Sequence, residues 1–180
     1  APKPSLRFFR RLWHCWKGNY NISQPSTFFD RELLERTGFL NEDYHYAMDY
    51  DLLLRASVKG NFNFVDATLA RFRLYPANKS SQLGLCGLDM YRMLLRGHRK
   101  TALALWGEEY LQKASQYLAH TLYSSVFRTS SLSLSKKIET IIEGLSIDPF
   151  SMFSRSFWRT IANLVLGPAR YNNIRESVIN

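Results

Sequence analysis

The sequence predicts an α/β chain, a short mixed sheet with helices, followed by an α-helical tail. Three observations carry this expectation. Residues 20–29, 61–65 and 69–74 group aromatic and branched apolar residues in the short, alternating runs of half-buried strands. Two helical runs with well-marked ends, 31–37 and about 49–58, lie among them. From Gln82 onward, apolar residues recur at helical spacing almost to the end of the chain. Three segments result: a basic aromatic N-terminal segment at 1–17, a mixed centre at 18–82 and a helical region at 83–180.

Residues 5–16 interleave Leu6, Phe8, Phe9, Leu12, Trp13 and Trp16 with Arg7, Arg10 and Arg11. A packed helix whose arginines extend to water fits this pattern, and so does a helix lying in a lipid headgroup layer. Gly18 and Asn19 interrupt it, and Tyr20–Phe29 reads as an edge strand because Pro25 cannot donate to a ladder. Asp30 is a suitable N-cap for residues 31–37, and Gly38 is the expected stop. After a polar, aromatic loop, the helix from about Asp49 to Val58 ends at Lys59-Gly60. Residues 61–65 and 69–74 are then expected to pair across the short Asp66-Ala67-Thr68 link, before a turn-rich loop at 75–81. Helices are expected near Leu85–Leu95, Ala102–Leu122, Ile138–Leu145 and Phe153–Leu166, the last closed by Gly167-Pro168.

Hydrophobic residues make up 46% of the 180-residue chain, enough for a core and too many for a disordered polypeptide. No apolar run reaches the length of a bilayer span. The formal charge of +9 sits on the flanks: 1–17 carries five bases and no acid, and 83–180 carries twelve bases against seven acids. The centre, with seven bases and eight acids, is nearly neutral. Such flanks suit phosphates, anionic lipid or an acidic partner. Cys15 and Cys86 lack the spacing of a zinc site and are expected as free thiols. The sequence has no phosphate-binding P-loop, dinucleotide fingerprint or serine nucleophile elbow, and its helices show no base-reading face.

The richest constellation is Asp49-Tyr50-Asp51, at the mouth of the helix that continues as Leu52-Leu53-Leu54. Free N–H groups at a helix start accept carboxylates, so capping is one reading. A DxD pair that holds a divalent cation on a diphosphate is a second. A general base fixed in direction by the helix, with Tyr44, His45, Tyr46 and Tyr50 around it, is a third. His45 has no convergent metal-ligand spacing and reads as a polar loop residue. Arg71, Arg73 and Lys79 gather where a phosphate could sit, or form a solvated strand face.

Four blocks in the centre resemble the family 2 glycosyltransferases of the GT-A fold. They are Gln24-Pro25-Ser26-Thr27-Phe28-Phe29, the run from Arg31 to Gly38, Leu40-Asn41-Glu42 with the run from His45 to Arg55, and the run from Leu69 to Ser80. Their order and spacing match over roughly sixty residues, a far more specific signal than a lone motif. The resemblance implies the C-terminal part of a GT-A nucleotide-diphospho-sugar transferase, acting by inversion on an acceptor hydroxyl. It implies that Asp49 is the catalytic base and that Asp51 caps the helix. It places Gln24, Pro25, Ser26, His45, Tyr46 and Tyr50 on the acceptor side, and Arg73, Lys79 and Ser80 in a loop beside the diphosphate. Where relatives read Arg-Leu-His, this chain reads Arg73-Leu74-Tyr75, so a histidine ligand is not expected there.

The resemblance further implies Mg²⁺ or Mn²⁺ in the whole enzyme, held by a DxD loop upstream and by no metal ligand in this chain. The family's nucleotide-binding half would precede Gly18, where only seventeen residues stand, so this portion alone is expected to be inactive. Expected partners are a nucleotide-sugar donor, a glycan or lipid-linked hydroxyl acceptor and an anionic membrane surface, with no nucleic acid. The expected location is cytoplasmic, or peripheral on the inner face of the membrane. The competing readings are a non-enzymatic basic helical module on anionic membrane or nucleic acid, and an inactive transferase relic.

Overall fold

The structure, a computed structural model, describes residues 6–17, 22, 24–71, 73, 83–128 and 132–179. It is all-α: helix makes up 75% of it, and no strand occurs among the described residues. The α/β expectation, and with it the GT-A sheet, is therefore overturned. A strand needs a partner for its backbone and a second layer for its apolar face. Among the described residues, 61–71 forms no ladder, and Phe64 stands 89% exposed. The expected edge strand near Pro25 instead curls into a 3-10 turn at Gln24–Ser26, where a missing N–H costs little.

The chain divides into two compact units, Ala1–Leu111 and Gln112–Asn180. The first contains α1 (Leu6–Trp13), α2 (Arg31–Thr37), α3 (Met48–Lys59) and α4 (Leu83–Tyr91). It also holds the start of α5 (Arg99–Arg128), which is interrupted by non-helical geometry at Gly107. In α3, Leu52, Leu53, Leu54 and Ala56 are all buried, so the helix is covered on most of its circumference and forms the centre of the unit. Trp13, fully buried, donates its indole N–H to Ser57 Oγ at 3.2 Å and so joins α1 to α3. The Tyr110 hydroxyl donates to the Trp13 carbonyl, bringing the start of α5 onto the same tryptophan. Leu12 and Trp13 of α1 are thus used in packing, while Arg10 and Arg11 face outward.

The ends of α2 follow the sequence closely. Asp30 accepts a hydrogen bond from the Leu33 N–H at 3.1 Å, and Gly38 closes the helix at φ 85°. α3 begins one residue before its expected start and stops at Gly60 as expected. α4 runs directly into a π-helical turn, Arg92–Gly97, closed by a bond from the His98 N–H to the Met93 carbonyl at 2.9 Å.

The second unit holds the rest of α5, together with α6 (Leu134–Ile147), α7 (Arg155–Leu166) and α8 (Pro168–Ile179). Its core is Ala119, Tyr123, Val126, Ile141 and Phe157. Tyr123 is its hub: the ring meets Phe157 edge-on at 5.5 Å, the hydroxyl pairs with Ser151 Oγ at 2.6 Å, and the carbonyl accepts from Thr160 at 3.2 Å. Ser133 and Ser154 cap α6 and α7 through their side chains. α7 ends at Leu166 and is closed at Gly167 as expected, and Pro168 then opens α8 at a position where proline is well tolerated.

Candidate functional site

Asp49 and Asp51 both lie in the first turn of α3, yet their surroundings are opposite. Asp51 is buried and bound on both oxygens. Its Oδ2 receives Arg55 Nη2 at 2.6 Å and Nε at 2.9 Å, and its Oδ1 lies 2.8 Å from His98 Nε2. An ionised carboxylate can only accept, so the histidine donates. Burial pushes the Asp51 carboxyl up, but the hydrogen bonds and charges of His98 and Arg55 outweigh it and hold the carboxyl below the usual range.

Arg55 does more than pair with Asp51. It also donates to the carbonyls of Thr37 at 2.8 Å, Gly38 at 3.0 Å and Phe39 at 2.8 Å, satisfying the open C-terminal end of α2. Lys59 reaches the Arg36 carbonyl at 2.7 Å. Asp51 therefore orients an arginine that locks α2 to α3. It is not the cap of α3: that position belongs to Ala47, whose side chain bonds nothing, and Asp51 stands inside the helix with its own N–H on the Ala47 carbonyl.

Asp49 is half-buried. Burial raises its carboxyl pKa, partly offset by the N–H groups of Tyr50 and of its own residue. The Tyr50 N–H lies 2.8 Å from its Oδ1. Among the described residues, no cation contributes to its titration. Its charge reaches the Cys15 and Cys86 thiols and helps to raise both, after burial as the main cause. Both cysteines are free. Cys15 lies against the Met90 thioether at 3.6 Å, so sulfur atoms form one side of the region around Asp49.

Beside Asp51 opens a pocket of about 500 Å³ lined by Phe39, Leu40, Asn41, Tyr44, Asp51, Arg55, Gly97 and His98. His98, which lines this wall, directly follows the π-turn that ends the α4 segment. Its ring also meets Trp13 edge-on at 6.0 Å. Asp49 does not line the pocket.

The other expected site residues are scattered. Gln24 and Pro25 are exposed and Ser26 half-buried in their 3-10 turn. His45 is exposed and stacks edge-on against half-buried Tyr46 at 4.9 Å, while Tyr50 is half-buried on α3. Arg73 is exposed, and Tyr75, Lys79 and Ser80 lie outside the described residues. Sequence reasoning missed His98 and Asp89. Asp89 is buried and accepts the Tyr46 N–H, tying the loop before α3 to α4. The local signals for these two are an acid inside an apolar helical run and a histidine after a helix-ending glycine. Neither names its partner, more than forty residues away.

Among the described residues, no cluster of three or more His, Cys, Asp or Glu side chains fits a metal ion. Asp49 and Asp51 do not form a chelating pair for Mg²⁺ or Mn²⁺, because both Asp51 oxygens are occupied by Arg55 and His98. No described helix is long and apolar enough to cross a membrane. No protein-family model, curated protein or solved structure matches the chain.

Proposed function

We propose that this chain carries the base of an inverting sugar transfer from a nucleotide-sugar donor to an acceptor hydroxyl, and that Asp49 is that base. The observation that carries the reading is the opposite tuning of two carboxylates one residue apart: Asp51 is held ionised by His98 and Arg55, while Asp49 is desolvated and, among the described residues, has no cation acting on it. A base works best when its affinity for a proton is raised toward the working pH, and such divergent pairs often mark the division of roles. The order of the four sequence blocks supports the same assignment.

In the reaction, Asp49 takes the proton of the acceptor hydroxyl as its oxygen attacks the anomeric carbon. The bond from that carbon to the donor phosphate breaks, the nucleoside diphosphate leaves with the electron pair, and Asp49 later releases its proton to water. Asp51, with Arg55, keeps the first turn of α3 and the end of α2 in register.

The test is donor-dependent product formation by the natural polypeptide that contains this chain. Asp49→Asn lowers turnover by about a hundredfold to ten-thousandfold, the usual contribution of a positioned base. Near wild-type turnover in that variant would show the assignment to be wrong. One observation favours a second reading: His98 lines the pocket and is oriented by Asp51, the arrangement of an imidazole base held by a carboxylate. Loss of turnover in His98→Gln with retention in Asp49→Asn selects that alternative.

A further inference from the structure

Leu12 and Trp13 of α1 are consumed in packing, but α7 presents an apolar stripe to solvent. Phe157, Ile161 and Leu164 turn toward the Tyr123 core. Trp158, Ala162, Val165 and Leu166 recur at helical spacing on an adjoining side. Trp158 is 60% exposed and Val165 76%, and the turn leading into the helix adds Phe150 at 79% and Phe153 at 78%. Exposed aromatic residues so close in sequence are unusual on a surface that has no partner.

The charge on this stretch is mostly of one sign, between Asp148 at its start and Glu176 at its end. From Pro149 to Arg175 the sequence contains Arg155, Arg159, Arg170 and Arg175 and no acid at all. Arg155 and Arg159 lie one turn apart on α7 and are exposed, on the side away from Phe157. Aromatic and aliphatic groups flanked mainly by arginine, with Asp148 turned onto the Phe150 N–H at 3.2 Å, complement a surface with an apolar interior beneath negative headgroups. α7 has twelve residues, which suits lying in such a layer and not spanning it.

We propose that the turn at Pro149–Phe153 and the exposed side of α7 form a docking element for an anionic lipid bilayer. Phe153, Trp158 and Val165 enter the headgroup–acyl boundary, and Arg155 and Arg159 meet lipid phosphates. This inference does not rest on the sugar-transfer reading.

The experiment is sedimentation of the full chain with vesicles of phosphatidylcholine alone, or with about one third phosphatidylglycerol. The chain sediments with the anionic vesicles and not with the neutral ones. Phe153→Ser with Trp158→Ser, and separately Arg155→Glu, each weaken binding by about tenfold or more. All these positions are exposed, so circular dichroism melts of the variants match the parent. Arg10→Glu on α1 makes the same charge change as Arg155→Glu and leaves binding within about twofold. Trp158 emission shifts to the blue on anionic vesicles, and Trp158→Phe loses that shift while still sedimenting.

Three outcomes overturn the proposal. One is absence of binding to anionic vesicles. Another is equal binding by the α7 variants and the parent. The third is concentration-dependent self-association, without vesicle binding, that Phe153→Ser with Trp158→Ser abolishes; the face would then belong to a second copy of the chain.

Discussion

Asp49 and Asp51 respond oppositely to removal of their charge. The folded-state pKa of Asp51 is depressed, so its stabilisation is present above the ordinary aspartate value of 3.8 and disappears as pH falls through the folded value. Asp51→Asn leaves Arg55 without its carboxylate and costs about 3 kcal/mol at neutral pH, read as a lowered urea midpoint. The folded-state pKa of Asp49 is raised. Its contribution is therefore present below 3.8 and lost as pH rises through the raised value, so at neutral pH its buried charge opposes folding. Asp49→Asn holds or raises the urea midpoint at neutral pH. A residue whose removal stops turnover without lowering stability is placed for chemistry and not for structure. If Asp49 is the base, the acidic limb of the rate profile also lies above the ordinary carboxylate range. Turnover then falls as pH drops through that limb, measured as kcat/KM against pH.

Helix ends and close approaches decide the elements. Asp30→Ala removes the bond to the Leu33 N–H and costs about 1 kcal/mol, seen in thermal or urea unfolding. Gly144, on α6, faces the hub of the second unit. A methyl group there would stand 2.5 Å from Tyr123 Cε1 and 2.8 Å from its Cζ. Tyr123 is fully buried and tied to Ser151, so it cannot swing aside. Gly144→Ala gains roughly 1 kcal/mol of helix propensity but forces a packed ring to move at about 1–3 kcal/mol. The net expectation is a loss of stability, and a gain would show that the ring can relocate.

On the scale of the whole molecule, the structure predicts far-ultraviolet dichroism dominated by helix, since no strand occurs among the described residues. It also supplies an internal reporter of unfolding. Cys15 is 5% exposed, and burial above all pushes its thiol up to about 12. A thiol reagent therefore labels Cys86 first and reaches Cys15 only when the first unit opens. The Cys15 labelling rate should rise with denaturant in parallel with loss of helix. Rapid Cys15 labelling in native buffer would contradict the packing of α1 on α3.

Much of this was legible in the chain itself. Asp30 and Gly38 bound α2, Gly60 stops α3, and the apolar spacing marks the helices after Gln82, because capping and amphipathic packing are local or periodic effects. The charge imbalance of the flanks was legible for the same reason. Whether 61–65 forms a strand was not, because a strand is completed by a partner that its own residues do not specify. The pairing of Asp51 with His98, forty-seven positions away, joins α3 to the residue that follows the π-turn of the α4 segment. Only tertiary structure could separate the two aspartates. Sequence places them one residue apart with identical chemistry, and what each carboxylate does follows from which cations and how much water the fold leaves beside it.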